Sequence, residues 1–533
     1  MKFPLRLAAL AFAACSLSAS AQNPFLPLWE YVPDGEPYVF EDPDRPGEYR
    51  VYVYGSHDSS IKEYCGREQV VWSASVYDLT NWRYDGIGFK STRDAKGNLL
   101  HQDGRGDMLY APDVAVVQEA DGTKTYYLYP NNQEGGRQGM VAKSKRPDGP
   151  YEVINWNPGN PRVTDGVLGF DPAVFVDTDG RVYGYWGFEQ SFGAELDPKT
   201  MATVKPGTEV VKDMIPHYKQ DETFRFFEAS SMRKIEDKYV FIYSRWTREG
   251  ENDLPTSNYT LAYAYSDHPL GPFTYGGTII DGRAREMDPT TGKIRPTATS
   301  GGNTHGSIFQ ANGQWWVVYH RQTGLDEYSR QAMAAPITVK VEKGKGGRVV
   351  ISEGEYTSEG FAIQGLNPLL RTPAGIACYY TGPTVSRNEY PHFLHSGPYM
   401  NPTRLDTKST QGPFNLKQPS TPVVNCTEGS VLGYKYFDFS KIKKGKADLV
   451  MNLIPQGVSG VMQVMLGSPY ESKGGKVIGE YKFSGEMEKK LTEVHIAVEN
   501  LRAKKGKQGL YFRFSSSTPN TSLCDIYDFI FIE

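Results

Sequence analysis

Five times along the chain, an acidic residue or a histidine opens a short β-like run, and after a turn the chain returns as a strand dense in aromatic or branched residues. The first copy runs from Asp34 through Pro37-Tyr38-Val39-Phe40 to Tyr49-Arg50-Val51-Tyr52-Val53-Tyr54-Gly55-Ser56. The second leads from Asp113 through the Asp121-Gly122 turn to Tyr126-Tyr127-Leu128-Tyr129. The third leads from Asp171 through Asp179-Gly180 to Val182-Tyr183-Gly184-Tyr185-Trp186. Glu228 opens the fourth, which returns through Tyr239-Val240-Phe241-Ile242-Tyr243-Ser244, and His305 opens the fifth, which turns at Asn312-Gly313 into Trp315-Trp316-Val317-Val318-Tyr319-His320. Asp-Gly and Asn-Gly between alternating apolar runs are hairpin turns, because both central residues must take positive φ. The openings are 79, 58, 57 and 77 residues apart, and a β-propeller blade needs roughly 40–50. A second hairpin between openings, such as Val71-Trp72-Ser73-Ala74-Ser75 with Asp78-Leu79, completes a four-stranded blade. Radial packing buries both faces of such sheets. The repeat therefore predicts a five-bladed β-propeller.

The composition changes after about residue 350: all eight Trp lie before residue 317. Residues 351–374 are rich in Gly and Pro and read as a closing strand plus linker. Strand candidates follow at 449–454, 461–466, 494–498, 510–514 and 526–532, separated by turn residues. They predict a jelly-roll-like β-sandwich over 375–533. The expected fold is all-β, with the propeller over 22–350.

Lys2 and Arg6, the apolar run from Leu7 to Ala14 and Ala19-Ser20-Ala21 read as an export signal over 1–21. The expected location is the periplasm or the exterior, with lipid attachment at Cys15 the lesser alternative. No later stretch offers the ~20 apolar residues of a membrane span. With 58 basic and 62 acidic residues, for a net charge of −4, the chain lacks the basic footprint of a nucleic-acid binder. The Lys-rich runs at 441–444 and 504–507 read as solvated loops. Cys65, Cys378, Cys426 and Cys524 show no zinc spacing, and the last three allow one disulfide.

In a propeller the first strand of each blade lines the central axis, so the five openings converge on one channel mouth. Each acid taken singly is also a common turn residue. Four carboxyls and an imidazole at one repeat register call for a chemical reason. Glycoside hydrolysis supplies one: an acid protonates the leaving oxygen while a second carboxyl activates water or attacks carbon. A third can tune the acid.

The segments Pro33-Asp34-Gly35-Glu36-Pro37, Gly169-Phe170-Asp171-Pro172-Ala173 and Phe227-Glu228-Ala229-Ser230-Ser231-Met232 resemble those of glycoside hydrolase family 43, over roughly residues 23–350. The resemblance implies a five-bladed propeller that inverts the anomeric centre. It makes Asp34 the general base, Glu228 the general acid and Asp171 the residue that tunes and orients the acid. Ala229-Ser230-Ser231 departs from the Gly-Pro or Ala-Pro and His that follow this Glu in many members. Tyr110-Ala111-Pro112-Asp113 matches a second-blade motif whose Asp usually lies outside the catalytic trio. Asn303-Thr304-His305-Gly306 matches a segment whose His sits beneath the sugar, near water or a bound ion. That makes His305 a candidate ligand for a channel calcium, although the chemistry itself needs no cofactor. Arg330 resembles an Arg near the sugar subsite, with a surface ion pair as its other reading. Segments 433–439, 509–514 and 525–532 resemble carbohydrate-binding modules of family 6, although no Trp is available there for stacking.

Substrate contacts are expected from Asp113, His305 and Arg330, and from Trp29, Tyr31, Trp72 and Trp186 as stacking aromatics unless these are blade core. The expected activity is exo-acting release of α-L-arabinofuranose or β-D-xylose from plant cell-wall polysaccharide or oligosaccharide. Endo-arabinanase, galactan hydrolysis and a non-catalytic sugar-binding propeller are the alternatives.

Overall fold

The computed structural model describes residues 22–533 except 60–62, 252–255, 259, 283–285, 288–293, 296–303, 323–329, 383–396, 401–421 and 502–505. The export-signal reading at 1–21, Asn303 and Lys504-Lys505 lie outside the described residues.

Blade 1 is an antiparallel sheet of β1 (Glu36–Glu41), β2 (Tyr49–Tyr54), β3 (Gln69–Ser75) and β4 (Asp78–Phe89). Blade 2 holds β5 (Asp113–Gln118), β6 (Lys124–Tyr129), β7 (Ala142–Ser144) and β8 (Glu152–Val153), followed by a hairpin of β9 (Trp156–Asn157) and β10 (Asn160–Thr164). Blade 3 is β11 (Ala173–Val176), β12 (Val182–Trp186), β13 (Phe192–Leu196) and β14 (Val211–Lys212). Blade 4 is β15 (Phe226–Ile235), β16 (Lys238–Arg245), β17 (Thr260–Ser266) and β18 (Thr274–Asp281). After the small hairpin of β19 (Glu286–Met287) and β20 (Ile294–Arg295), blade 5 is β21 (Ser307–Ala311), β22 (Gln314–Gln322) and β23 (Arg330–Ile337).

The aromatic strands bury their faces between blades, and the apolar clusters join the blades in a ring. Phe40, Tyr52 and Tyr54 of blade 1 meet Val114, Tyr126 and Leu128 of blade 2. Tyr129 meets Val174 and Val182, and Tyr183 and Tyr185 meet Phe226, Phe241 and Tyr243. Val240 and Ile242 meet Ile308, Val317 and Tyr319. Val51, Val53 and Trp72 then meet Trp316 and Val318, which joins blade 5 back to blade 1. Each buried aromatic contributes about 1.5–3 kcal/mol. At that junction Gly35 bridges Gly306 in parallel. A Cβ on Gly306 would fall 1.9 Å from Val318 O, so only glycine allows this approach.

Among the described residues the sheet of blade 5 has three strands rather than the expected four. Residues 23–25 bond to the free edge of β23 instead: Phe25 N donates to Ala332 O (3.2 Å). Asn23 Nδ2 donates to Ala334 O (2.7 Å) and its Oδ1 accepts from Ala334 N (2.9 Å). Pro24, without an N–H, keeps this segment from becoming a regular ladder.

Beyond blade 5, β24 (Val339–Val341) and β25 (Val349–Ile351) form a hairpin. Within 351–374, read as a closing strand plus linker, strand occurs at Ile351, the end of β25, and at Thr372–Pro373, with none between. Gly360 and Pro368 stand at turns in this stretch. Next come β26 (Thr372–Pro373), β27 (Tyr379–Thr381), β28 (Tyr399–Met400), β29 (Val423–Cys426), β30 (Val431–Phe437) and β31 (Ala447–Pro455). The chain ends with β32 (Gly460–Leu466), β33 (Lys476–Phe483), β34 (Thr492–Val498), β35 (Gln508–Ser515) and β36 (Cys524–Ile532). They form a sheet in the order β28-β29-β36-β31-β34, with β26 paired to β36, and a second in the order β27-β30-β35-β32-β33. The two enclose one apolar core that includes Tyr434, Phe512 and Phe529. Arg321 of β22 donates to Gly375 O and Ala377 O (both 2.6 Å), tying blade 5 to this sandwich. None of the four described cysteines forms a disulfide; all are buried, and Cys426 faces Cys524 across β29 and β36.

Candidate active site

Four of the five repeat openings meet in one recess at the propeller axis. Asp34, Asp171, Glu228, His305 and Arg330 line it, together with Tyr64, Tyr110 and Phe170. The five polar side chains all belong to residues at most 4% exposed, so each charge needs a partner to offset its lost hydration. Asp113, by contrast, lies off the recess. Its Oδ1 accepts from Tyr38 Oη (2.6 Å) and its Oδ2 from Val174 N (2.6 Å), which stitches blades 1, 2 and 3 together.

Asp34 and Asp171 each sit two residues before an inner strand in left-handed backbone, with φ of 59° and 48°. That conformation is costly for a residue with a side chain and recurs at functional sites. Asp34 is bound from three sides. Arg330 Nη1 lies 3.1 Å from both of its carboxylate oxygens, Ser56 Oγ donates to Oδ2, and its own N–H donates to His320 Nδ1 (3.2 Å). Burial alone would raise its pKa, but the Arg330 guanidinium, with help from the Ser56 hydroxyl, holds it below the ordinary carboxylate value. Asp34 is thereby held in its ionised form.

Arg330 is fixed in turn. Its Nε and Nη2 form a two-pronged bond to Asp58 (2.9 and 2.8 Å), and its guanidinium lies 4.1 Å from the centre of the Tyr64 ring. Buried and twice paired with carboxylates, Arg330 is no surface ion-pair residue.

Asp171 reaches the neighbour of Glu228 through the backbone. Its Oδ2 accepts from Ala229 N (3.1 Å), the residue directly after Glu228, and its Oδ1 accepts from Asn131 Nδ2 (2.9 Å). Ala229 has φ 67°, and the β15–β16 register shifts on both sides of Glu228. A bulge re-aims a side chain, and Asp171 secures the strained residue at its centre. Asp171 Oδ2 also lies 3.6 Å from His305 Nδ1. His305 is buried, which disfavours its charge, but the bond to Asp171 and the nearby acids outweigh this and push its pKa up to about 9.

Below the recess, Glu36 Oε1 and His305 Nε2 are 4.0 Å apart, buried and without hydrogen-bond partners. Arg233 Nη2 holds the other Glu36 oxygen at 2.7 Å. Beside it, burial and the Glu36 charge raise Asp113 to about 7. Elsewhere His101, Asp107 and Glu134 converge, but a fork from Arg137 (2.5 and 2.7 Å) holds both Asp107 oxygens, which makes this an ion-pair cluster.

The four expected stacking aromatics do not line the recess. Trp72 is buried between blades 5 and 1, with its indole N–H on Glu30 (3.1 Å), and Trp29 packs on the same cluster. Trp186 is buried between blades 2 and 3, stacked on Phe192. Tyr31 is also buried. Inward-facing strand positions go to the blade cores, and the recess draws its aromatics from loops. Ser56, Asp58, Tyr64, Asn131 and His320 were not foreseen from the sequence. Ser56 and Asn131 each lie two residues past the second strand of a blade, opposite an opening acid, and that register was the available signal.

The family model for glycosyl hydrolases family 43 matches residues 41–343. A xylosidase/arabinosidase of Thermoclostridium stercorarium is 34% identical over 445 residues, covering 80% of this chain and 84% of that protein. An arabinoxylan arabinofuranohydrolase of Paenibacillus polymyxa is 27% identical, covering 92% of this chain and 70% of that protein. A solved family 43 arabinoxylan arabinofuranohydrolase from Bacillus subtilis, in complex with cellotetraose, aligns with a TM-score of 0.45 at 21% identity over 97% of this chain and 98% of that one.

Proposed function

The chain belongs to glycosyl hydrolase family 43, and on that footing we propose an inverting, exo-acting enzyme that releases α-L-arabinofuranose from arabinoxylan, with β-D-xylosidase activity at the same site. The observation that carries this reading is the convergence of three carboxyls, Asp34, Asp171 and Glu228, with Arg330 in one buried recess, the grouping of acid and base that glycoside hydrolysis requires. Relatives named for arabinosidase, xylosidase and arabinoxylan arabinofuranohydrolase activities support the choice of sugar.

In this mechanism Asp34, kept ionised by Arg330, takes a proton from a water molecule as the water attacks the anomeric carbon. Glu228 protonates the departing oxygen on the opposite face. Asp171 holds Ala229 N, which aims Glu228. Tyr64, Tyr110 and Phe170 supply the apolar walls.

Calcium takes six to eight oxygen ligands. Beneath the recess, one Glu36 oxygen and one imidazole nitrogen face the gap, beside the Arg233 guanidinium. That donor set does not fit calcium held by the protein, and no step depends on it. The basic and apolar stretches of residues 2–14 support export as the route to a plant polysaccharide.

The reading is tested by incubating the enzyme with arabinoxylan, linear xylo-oligosaccharides and arabinan and separating the products by chromatography. Pentose monomers from the first minutes support it. Oligosaccharides appearing before monomers would establish endo cleavage, and no release from any of the three would leave a sugar-binding propeller.

A further inference from the structure

Phe188 is 53% exposed, and a lone exposed aromatic would need no explanation. Its setting sets it apart. The loop that carries it is tied to the residues immediately before two of the recess acids: Gly187 N donates to Phe170 O (2.8 Å), and Glu189 N donates to Phe227 O (2.7 Å). The Phe188 ring touches both of those side chains, with centroids 5.5 Å from Phe170 and 5.1 Å from Phe227. Phe170 is itself a wall of the recess. Phe227 continues the aromatic surface to Trp246, 5.0 Å away.

The loop pays in conformation for this placement. Glu189 has φ 56° and Gly187 has φ 143°. A Cβ at Gly187 would fall 1.9 Å from Gln190 O, so only glycine can stand there. Backbone strain kept beside a reaction centre is consistent with a functional display.

In the exo-acting reading above the recess takes one sugar, so the rest of the substrate lies outside it, next to the acid that protonates the leaving oxygen. Phe188 stands at that rim, one ring contact from the residue preceding Glu228. We propose that Phe188 is the platform for the leaving-group sugar, stacking on the apolar C–H face of a pyranose unit in the xylan main chain. This inference rests on the arabinoxylan reading above and adds the residue that distinguishes a polysaccharide leaving group from a small one.

The test compares kcat/KM of wild type, Phe188→Ala and Phe188→Trp on an arabinosylated xylo-oligosaccharide and on methyl α-L-arabinofuranoside. The Ala variant is expected to lose roughly tenfold on the oligosaccharide, the size of a lost aromatic contact, and at least fivefold more than on the methyl glycoside. Trp is expected to restore the oligosaccharide value to within twofold. Equal losses on the two substrates, no loss on the oligosaccharide, or failure of Trp to restore would each overturn the platform while leaving the enzyme reading standing. A wild type that cleaves neither substrate would instead remove the enzyme reading, and the platform with it.

Discussion

Arg330 Nη1 sits 3.1 Å from each carboxylate oxygen of Asp34, and both side chains are almost wholly buried. The pair has a direct kinetic consequence. In the proposed mechanism Asp34 must be ionised to accept a proton, so its pKa sets the acidic limb of the kcat/KM profile. Arg330 holds that pKa down. Lys at 330 keeps a charge but cannot bridge two carboxylates in a plane. In Arg330→Lys the acidic limb should move to higher pH, by about one unit, in a pH–rate series between pH 3 and 9. A limb that stays in place would separate Arg330 from the base.

Asp58 is expected to matter through Arg330 and not through substrate. It accepts two bonds from that guanidinium, so Asp58→Ala leaves a buried cation half-paired. Breaking a buried pair costs about 3–5 kcal/mol, measurable by urea unfolding. As a positioning residue, Asp58 should also shift the acidic limb in Asp58→Asn, a change that a purely structural role would not produce.

For Glu228 the diagnostic is the leaving group. An acid is needed when the departing oxygen is basic and is dispensable when it is dinitrophenolate. Glu228→Gln should lose about 10²–10⁴-fold in kcat on arabinoxylan and far less on a dinitrophenyl arabinofuranoside. Equal losses on both would deny Glu228 the role of acid.

Burial lowers the pKa of His305, but the bond to Asp171 and the nearby acids outweigh it and raise the folded value from 6.5 to about 9. A base whose pKa rises on folding contributes stability that is full below the unfolded value and lost as pH climbs through the folded one. Wild type should therefore lose up to ~3 kcal/mol of unfolding free energy between pH 6.5 and 9 that His305→Gln does not lose. Parallel stability curves would contradict the ion pair.

The repeat in the sequence was enough to place Asp34, Asp171, Glu228 and His305 together, because residues at one register of a propeller share one axis. It also drew Asp113 into the set. Register alone could not tell that Tyr38 and Val174 N occupy both Asp113 oxygens. The aromatic assignments failed for a related reason. Trp72 and Trp186 sit on strands whose faces are buried between blades, while Tyr64, Tyr110 and Phe170 stand on loops that carry no periodic signal. Asp58 and Arg330 are 272 residues apart, and nothing local marks their pairing. The three-stranded fifth blade was hidden likewise, since residues 23–25 replace a strand through side-chain bonds from Asn23.

Direct attack by water, with Asp34 as base and not as nucleophile, is tested most plainly by proton NMR of the sugar first released, recorded before mutarotation. Single displacement predicts β-L-arabinofuranose from an α-L-arabinofuranoside. The α anomer appearing first would mean a covalent intermediate, and Asp34 could not then hold the role given to it.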